Sequence, residues 1–157
     1  MKYIKRLALL LILALIALPA SADELAELKE LADQGDADAQ FNLGVMYDNG
    51  EGVPQDDKAA IRWYRLAADQ GDADAQFNLG VMYASGESVP QDYKAAIRWY
   101  RLAADQGDAD AQFNLGNMYR TGRGVPQDDK AAIRWYRLAA DQGIASAQFN
   151  LGVMYAT

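Results

Sequence analysis

The chain has 157 residues, with no histidine, no cysteine and a formal net charge of −7 at pH 7. Without those two residue types a Ser-His-Asp or Cys-His nucleophile, a common zinc site and any disulfide are excluded. The acidic balance works against a phosphate backbone as partner, so no nucleic acid is expected.

The first 22 residues differ from all that follow. Lys2, Lys5 and Arg6 make a basic start, and Leu7 to Leu18 is an unbroken apolar run of 12. Pro19 ends the run, and Ala20-Ser21-Ala22 has the small-x-small form of a signal-peptidase site. A bilayer takes about 20 apolar residues, so a cleavable signal peptide over residues 1–22 is expected rather than a short signal anchor. No cysteine follows the run to accept a lipid. The expected product is periplasmic or secreted, begins at Asp23 and makes no membrane contact after cleavage. It is three charges more negative than the full chain.

From Gly35 the chain repeats itself with a period of 36. GDADAQFNLG opens at Gly35, Gly71 and Gly107, and GIASAQFNLG opens at Gly143. Residues 35–70 differ at four positions from 71–106, and at four from 107–142. Each copy predicts two helices. Helix A runs from Ala37 to about Asp48, with Asp36 as N-cap and Asp38 near the positive end of the dipole. Gly50 and Gly52 stop it, and Val53-Pro54 makes an extended loop. Helix B runs from about Asp56 to Gln70, with Gly71 as the left-handed residue that ends it. Residues 23–34 match the end of a helix B and form an N-terminal capping helix. Residues 143–157 form a C-terminal half repeat, so the order is B-ABABAB-A.

At 100° per residue, Lys58, Arg62, Arg65 and Asp69 share one stripe of helix B. Ala60, Trp63 and Ala67 lie opposite, with Tyr64 beside them, so the tryptophans are expected in the core. Helix A carries two apolar faces, Ala39/Leu43/Met46/Tyr47 and Ala37/Phe41/Gly44. A helix buried on two sides belongs between neighbours in a stack.

AQFNLGVMY, GEGVPQD and KAAIRWYRLAADQG together resemble the Sel1-like repeat, a relative of the tetratricopeptide repeat. The resemblance covers nearly all of residues 23–157. It implies an all-α fold, a right-handed α-solenoid of stacked antiparallel helix pairs with helix A on the concave side. It also implies a role in protein–protein contact. Ser88 departs from the pattern where the other copies have Gly52 and Gly124, so a different loop is expected there.

No catalytic, cofactor or metal site is expected. There is no Ser-x-x-Lys, and GEGVPQ and GRGVPQ lack the rest of a phosphate loop. The Asp clusters at the B-to-A turns, such as Asp69/Asp72/Asp74, match no calcium loop and read as helix caps. Lys58, Arg62 and Arg65 recur in each copy and read as a solvated outer face, with Arg65 and Asp69 as an i,i+4 pair. Gly44, Gly80, Gly116 and Gly152 each cost about 1 kcal/mol inside a helix, which points to close helix approach. Asn42, Asn78, Asn114 and Asn150 are poor mid-helix residues, so each bonds a neighbouring repeat or faces a partner.

The copies differ mainly on the open side of helix A and in the loop after it. Val45 and Val81 become Asn117, Asp48-Asn49 becomes Ala84-Ser85 and then Arg120-Thr121, Glu51 becomes Arg123, and Asp57 becomes Tyr93. The candidate partner-binding residues are Asn42, Val45, Asp48, Asn49, Asn78, Val81, Ser85, Asn114, Asn117, Arg120, Thr121 and Arg123. Giving the third copy the first copy's Val, Asp and Glu at 117, 120 and 123 is expected to leave the core untouched. The functional expectation is an exported module that binds a partner protein or peptide on the concave helix-A face. The alternatives are an immunity or inhibitor protein for a toxin or envelope enzyme, and, from another class, a cell-wall or β-lactam hydrolase.

Overall fold

The computed structural model describes residues 22–156. The signal-peptide expectation therefore lies, apart from Ala22, outside the described residues. These residues form eight helices and no strand: α1 (Ala22–Asp33), α2 (Ala37–Asn49), α3 (Asp57–Asp69), α4 (Ala73–Ser85), α5 (Tyr93–Asp105), α6 (Ala109–Thr121), α7 (Asp129–Asp141) and α8 (Ala145–Ala156). Even-numbered helices are the A helices and odd-numbered ones the B helices. No helix among the described residues is long and apolar enough to cross a membrane.

The helix ends follow from local chemistry. Asp36, Asp72 and Asp108 cap the A helices by accepting from the backbone N–H of Ala39, Ala75 and Ala111. Asp56, Asp92 and Asp128 cap the B helices in the same way. Each B helix closes with a left-handed glycine: Gly71 has φ +98°, and the Asp72 N–H reaches back to the Ala67 carbonyl at 3.1 Å. In all three loops the last residue donates to the preceding tyrosine carbonyl, at 2.9 Å for Asp56 to Tyr47, Asp92 to Tyr83 and Asp128 to Tyr119.

The loop holding Ser88 is bonded differently, as its sequence suggests. In the first and third loops, Glu51 N–H and Arg123 N–H donate to the carbonyls of Met46 and Met118. In the second, Glu87 N–H turns to the Ser85 hydroxyl, and Gln91 Nε2 donates to the Ala84 carbonyl at 2.8 Å.

Each B helix after α1 packs on the A helix before it and on the A helix after it, and α1 packs on α2, giving an α-solenoid. Successive A helices also touch, α2 with α4 and α4 with α6, and no comparable contact joins successive B helices. The A helices are therefore the crowded inner row. Ala39, Leu43 and their equivalents Ala75, Leu79, Ala111 and Leu115 are fully buried along it.

The aromatic anchor of helix B is its tyrosine, which corrects the expectation for tryptophan. Tyr64, Tyr100 and Tyr136 are 1%, 3% and 0% exposed, whereas Trp63 and Trp99 are half-buried and only Trp135 is buried, at 7%. Helix A explains the difference. A Cβ on Gly44, Gly80 or Gly116 would lie 2.5, 2.5 or 2.4 Å from the ring of the tyrosine in the same repeat. The glycines thus make the seat for a ring, which Phe41, Phe77 and Phe113 flank at centroid distances of 5.9, 6.0 and 5.9 Å. The tryptophans work between repeats. Trp63 packs on the cluster of Leu28, Ala32, Ala39 and Leu43, and Trp99 on the cluster around Tyr64 and Leu79.

A buried polar ladder also crosses the stack. Gln40, Gln76 and Gln112 are each 4% exposed and donate to the carbonyls of Ala32, Ala68 and Ala104 at the end of the preceding B helix. Their own side-chain oxygens accept from Gln70, Gln106 and Gln142 at 2.8, 2.9 and 2.9 Å. Every rung satisfies a helix-end carbonyl that stacking would otherwise strip of water.

Candidate functional site

The varied positions lie along the A row and in the loop after it, and three of them bond a buried tyrosine hydroxyl. In the first repeat the Tyr64 hydroxyl donates to Asp48 Oδ2 at 3.2 Å. In the third, Tyr136 donates to Asn117 Oδ1 at 2.8 Å and accepts from Arg120 Nε at 3.1 Å. The second repeat has Val81 and Ala84 at these places. Asn78 hydrogen-bonds Tyr64, so the helix-A asparagine of one repeat reaches the tyrosine of the repeat before it. Burial, and then the charge of Asp48, push the Tyr64 phenol up from its ordinary value; burial alone does so for Tyr100. Burial likewise raises the Asp48 carboxyl, against the lowering effect of its bond to Tyr64.

This geometry corrects one expectation. Asn117 and Arg120 are tied to a buried group, so a change at either alone disturbs the core. The first-copy set keeps a partner only because Arg120→Asp supplies the carboxylate that Asp48 supplies to Tyr64. Thr121 Oγ1 caps the carbonyl of Asn117, and Asn49 Nδ2 donates to Glu51. Asn42, Val45, Asp48, Asn78, Asn114 and Asn117 are half-buried, and Asn49, Val81, Ser85, Arg120, Thr121 and Arg123 are exposed. The twelve candidates thus follow one face, with a half-buried floor and an exposed rim.

The basic stripe on helix B is more than a solvated face. Arg65 donates to the Tyr83 hydroxyl of the next repeat, and its guanidinium stands 5.9 Å from that ring's centre. Arg101 reaches Tyr119 and Arg137 reaches Tyr155 in the same way. The stripe straps each repeat to the next, where an Arg65–Asp69 pair was expected. Sequence reasoning missed both this strap and the glutamine ladder, because each joins residues of different helices.

The aspartate edge is a row of helix caps with a pH consequence. Burial raises the Asp72 and Asp108 carboxyls above the ordinary 3.8; neighbouring Asp38, Asp74 and Asp110 add to it, and the capping bonds oppose it. A carboxyl raised in the folded state binds its proton more tightly there than in the unfolded chain. Its stabilising effect is full below 3.8 and is lost as pH rises through the folded value. The melting temperature should therefore rise as pH is lowered from neutral through the folded value towards 3.8. Asp72→Asn with Asp108→Asn keeps the caps and should flatten that rise. A melting temperature that falls steadily over this range would contradict the assignment.

No catalytic triad or phosphate cradle is assembled on this face, which presents neutral amides, short apolar side chains and charges that change sign along the row. That chemistry suits recognition of a surface.

A model of the Sel1 repeat matches residues 37–72, 73–108, 109–144 and 145–157, each starting at the first residue of an A helix. Among curated proteins none matches the chain. A protective antigen present in uropathogenic Escherichia coli strains, which displays an SLR fold, is similar at 44% identity and a TM-score of 0.80 over 82% of this chain. This chain covers only 28% of that antigen's length. A Sel1 repeat protein from Oxalobacter formigenes is 45% identical with a TM-score of 0.76, and the match covers 82% of this chain and 96% of that one. Cysteine-rich protein B of Helicobacter pylori, at 22% identity and a TM-score of 0.63 over 81% of this chain and 96% of that one, shares the fold. With the repeat matched without a break from residue 37 to 157, the chain belongs to the Sel1 repeat family.

Proposed function

We propose that this chain is an exported module that binds a partner protein or peptide along its row of A helices. Sel1 repeat proteins generally mediate protein–protein interaction. The observation that carries the proposal here is the division of labour on helix A. Ala39, Leu43, Gly44 and Gln40 are buried and recur unchanged in every full copy, while positions 45, 48, 49 and 51 vary and line one face. A constant frame with a varied rim is what a graded recognition surface requires. The basic leader, the apolar run and Ala20-Ser21-Ala22 support export, as does the antigenic character of the E. coli relative.

Two measurements test the proposal. Protein sequencing of the exported form should begin at Asp23, and an intact Met1 form held in the membrane would overturn the export claim. A photo-reactive amino acid placed at 81, on the inner row, should give a discrete cross-linked product in cells. The same probe at 102, on the outer face of α5, should not. Discrete products from 102 and none from 81 would place the binding surface elsewhere. Mass spectrometry of the product from 81 then identifies the partner, whether a scaffolded client or a neutralised toxin.

A further inference from the structure

The two loop junctions along the edge of the stack are built from different residues. At the second junction Tyr93 opens α5, and the Arg123 guanidinium from the following loop stands 5.8 Å from the centre of its ring. Gly124 closes against it so tightly that a Cβ there would be 2.7 Å from the Tyr93 Cβ and 2.8 Å from its carbonyl oxygen. Tyr93 shares an apolar cluster with Val125 and Trp135, the one buried tryptophan. The same three positions at the first junction hold Asp57, Glu87 and Ser88. There the ring and the guanidinium are missing, and a cleft of about 710 Å³ lies open between Tyr47, Pro54, Asp57, Lys58, Glu87 and Ser88. Trp99, the counterpart of Trp135, is only half-buried.

We infer that this cleft receives a basic aromatic segment of the partner, with an arginine or lysine between Asp57 and Glu87 and an adjacent aromatic ring against Tyr47 and Pro54. The inference rests on the protein-binding proposal above and gives it a chemistry. Three observations converge on it. The cleft is bounded by Asp57 at the start of α3 and Glu87 in the following loop, against the single cation Lys58, so a cation entering it gains from two carboxylates. Its lining includes Tyr47 and Pro54, side chains that suit a flat ring and a guanidinium. The chain itself fills the equivalent space at the second junction with a tyrosine and an arginine, which shows what this architecture accommodates.

The probe is the capped tetrapeptide Ala-Arg-Tyr-Ala, with Ala-Glu-Tyr-Ala as its charge-reversed control, titrated into the nitrogen-15-labelled chain from Asp23 onward. The arginine peptide should shift amides of Tyr47, Gln55, Asp57, Glu87 and Ser88, with a dissociation constant of about 1–10 mM. The glutamate peptide should shift none of them. Asp57→Tyr with Glu87→Arg and Ser88→Gly rebuilds the first junction on the pattern of the second. This variant should keep its melting curve and lose at least tenfold in peptide affinity. Tyr93→Asp with Arg123→Glu should open a second site, seen as new shifts around Tyr83, Asp92 and position 123. Equal response to the two peptides, or unchanged binding by the triple variant, would overturn the inference. A captured partner that is weakened by Val81→Glu but not by the triple variant would also overturn it, and would leave the inner-row proposal standing.

Discussion

Tyr100→Ala should destabilise the protein by about 3–5 kcal/mol, the ordinary cost of truncating a buried aromatic side chain. The ring is 3% exposed, seats on Gly80, and packs 6.0 Å from Phe77 in the cluster that joins the second repeat to the third. In a linear stack each repeat is supported only by its neighbours, so a cavity in the middle weakens both interfaces. Urea unfolding of Tyr100→Ala beside Tyr100→Phe separates ring from hydroxyl. The phenylalanine variant keeps the packing, and with Val81 and Ala84 where the other repeats bond their tyrosine hydroxyl it should lose far less than the alanine variant. Trp99→Ala should cost less than Tyr100→Ala because the indole is half-exposed. The reverse order would return the anchor role to tryptophan.

One substitution should change sign with position. Gly80→Ala places a Cβ 2.5 Å from the Tyr100 ring, and overpacking of this kind costs about 1–3 kcal/mol. The alanine recovers about 1 kcal/mol of helix propensity, so a net loss of up to about 2 kcal/mol remains. Gly152 occupies the equivalent place on α8, and a Cβ there meets nothing within 4 Å. Gly152→Ala should therefore stabilise by up to about 1 kcal/mol. Chemical denaturation of the two single variants reads both values. If both destabilised equally, the glycines would answer to backbone conformation and not to a facing ring.

What was legible in the sequence was what is local or periodic. The 36-residue period, the aspartate caps and the glycine stops placed each full repeat's helices to within about two residues of their observed ends. The choice between Trp63 and Tyr64 was not legible. They lie side by side on the wheel, and what buries the tyrosine is a glycine on another helix. The recurrence of Gly44 did signal close approach, although a ring makes the approach and not a backbone. Gln40 recurs in all four copies beside apolar positions, and that constancy was the one available sign of the ladder. The varied row could be read from the copies alone, but a single-helix wheel omits the hydroxyl that Asn117 and Arg120 bond. The Arg65–Tyr83 strap was hidden for the same reason, since an i,i+4 rule sees only its own helix.

The measurement that bears most directly on the function is calorimetric titration of the captured partner against two variants. Val81→Glu sets a charge on the inner row at a side chain already 40% exposed, and Leu102→Glu does the same on the outer face at one 48% exposed. Neither removes a buried side chain, so both should melt close to the unaltered protein, as ordinary surface changes do. Binding along the A helices predicts that Val81→Glu weakens the partner at least tenfold, a change of about 1.4 kcal/mol, while Leu102→Glu leaves affinity unchanged. Loss of affinity with Leu102→Glu, and full affinity with Val81→Glu, would contradict it.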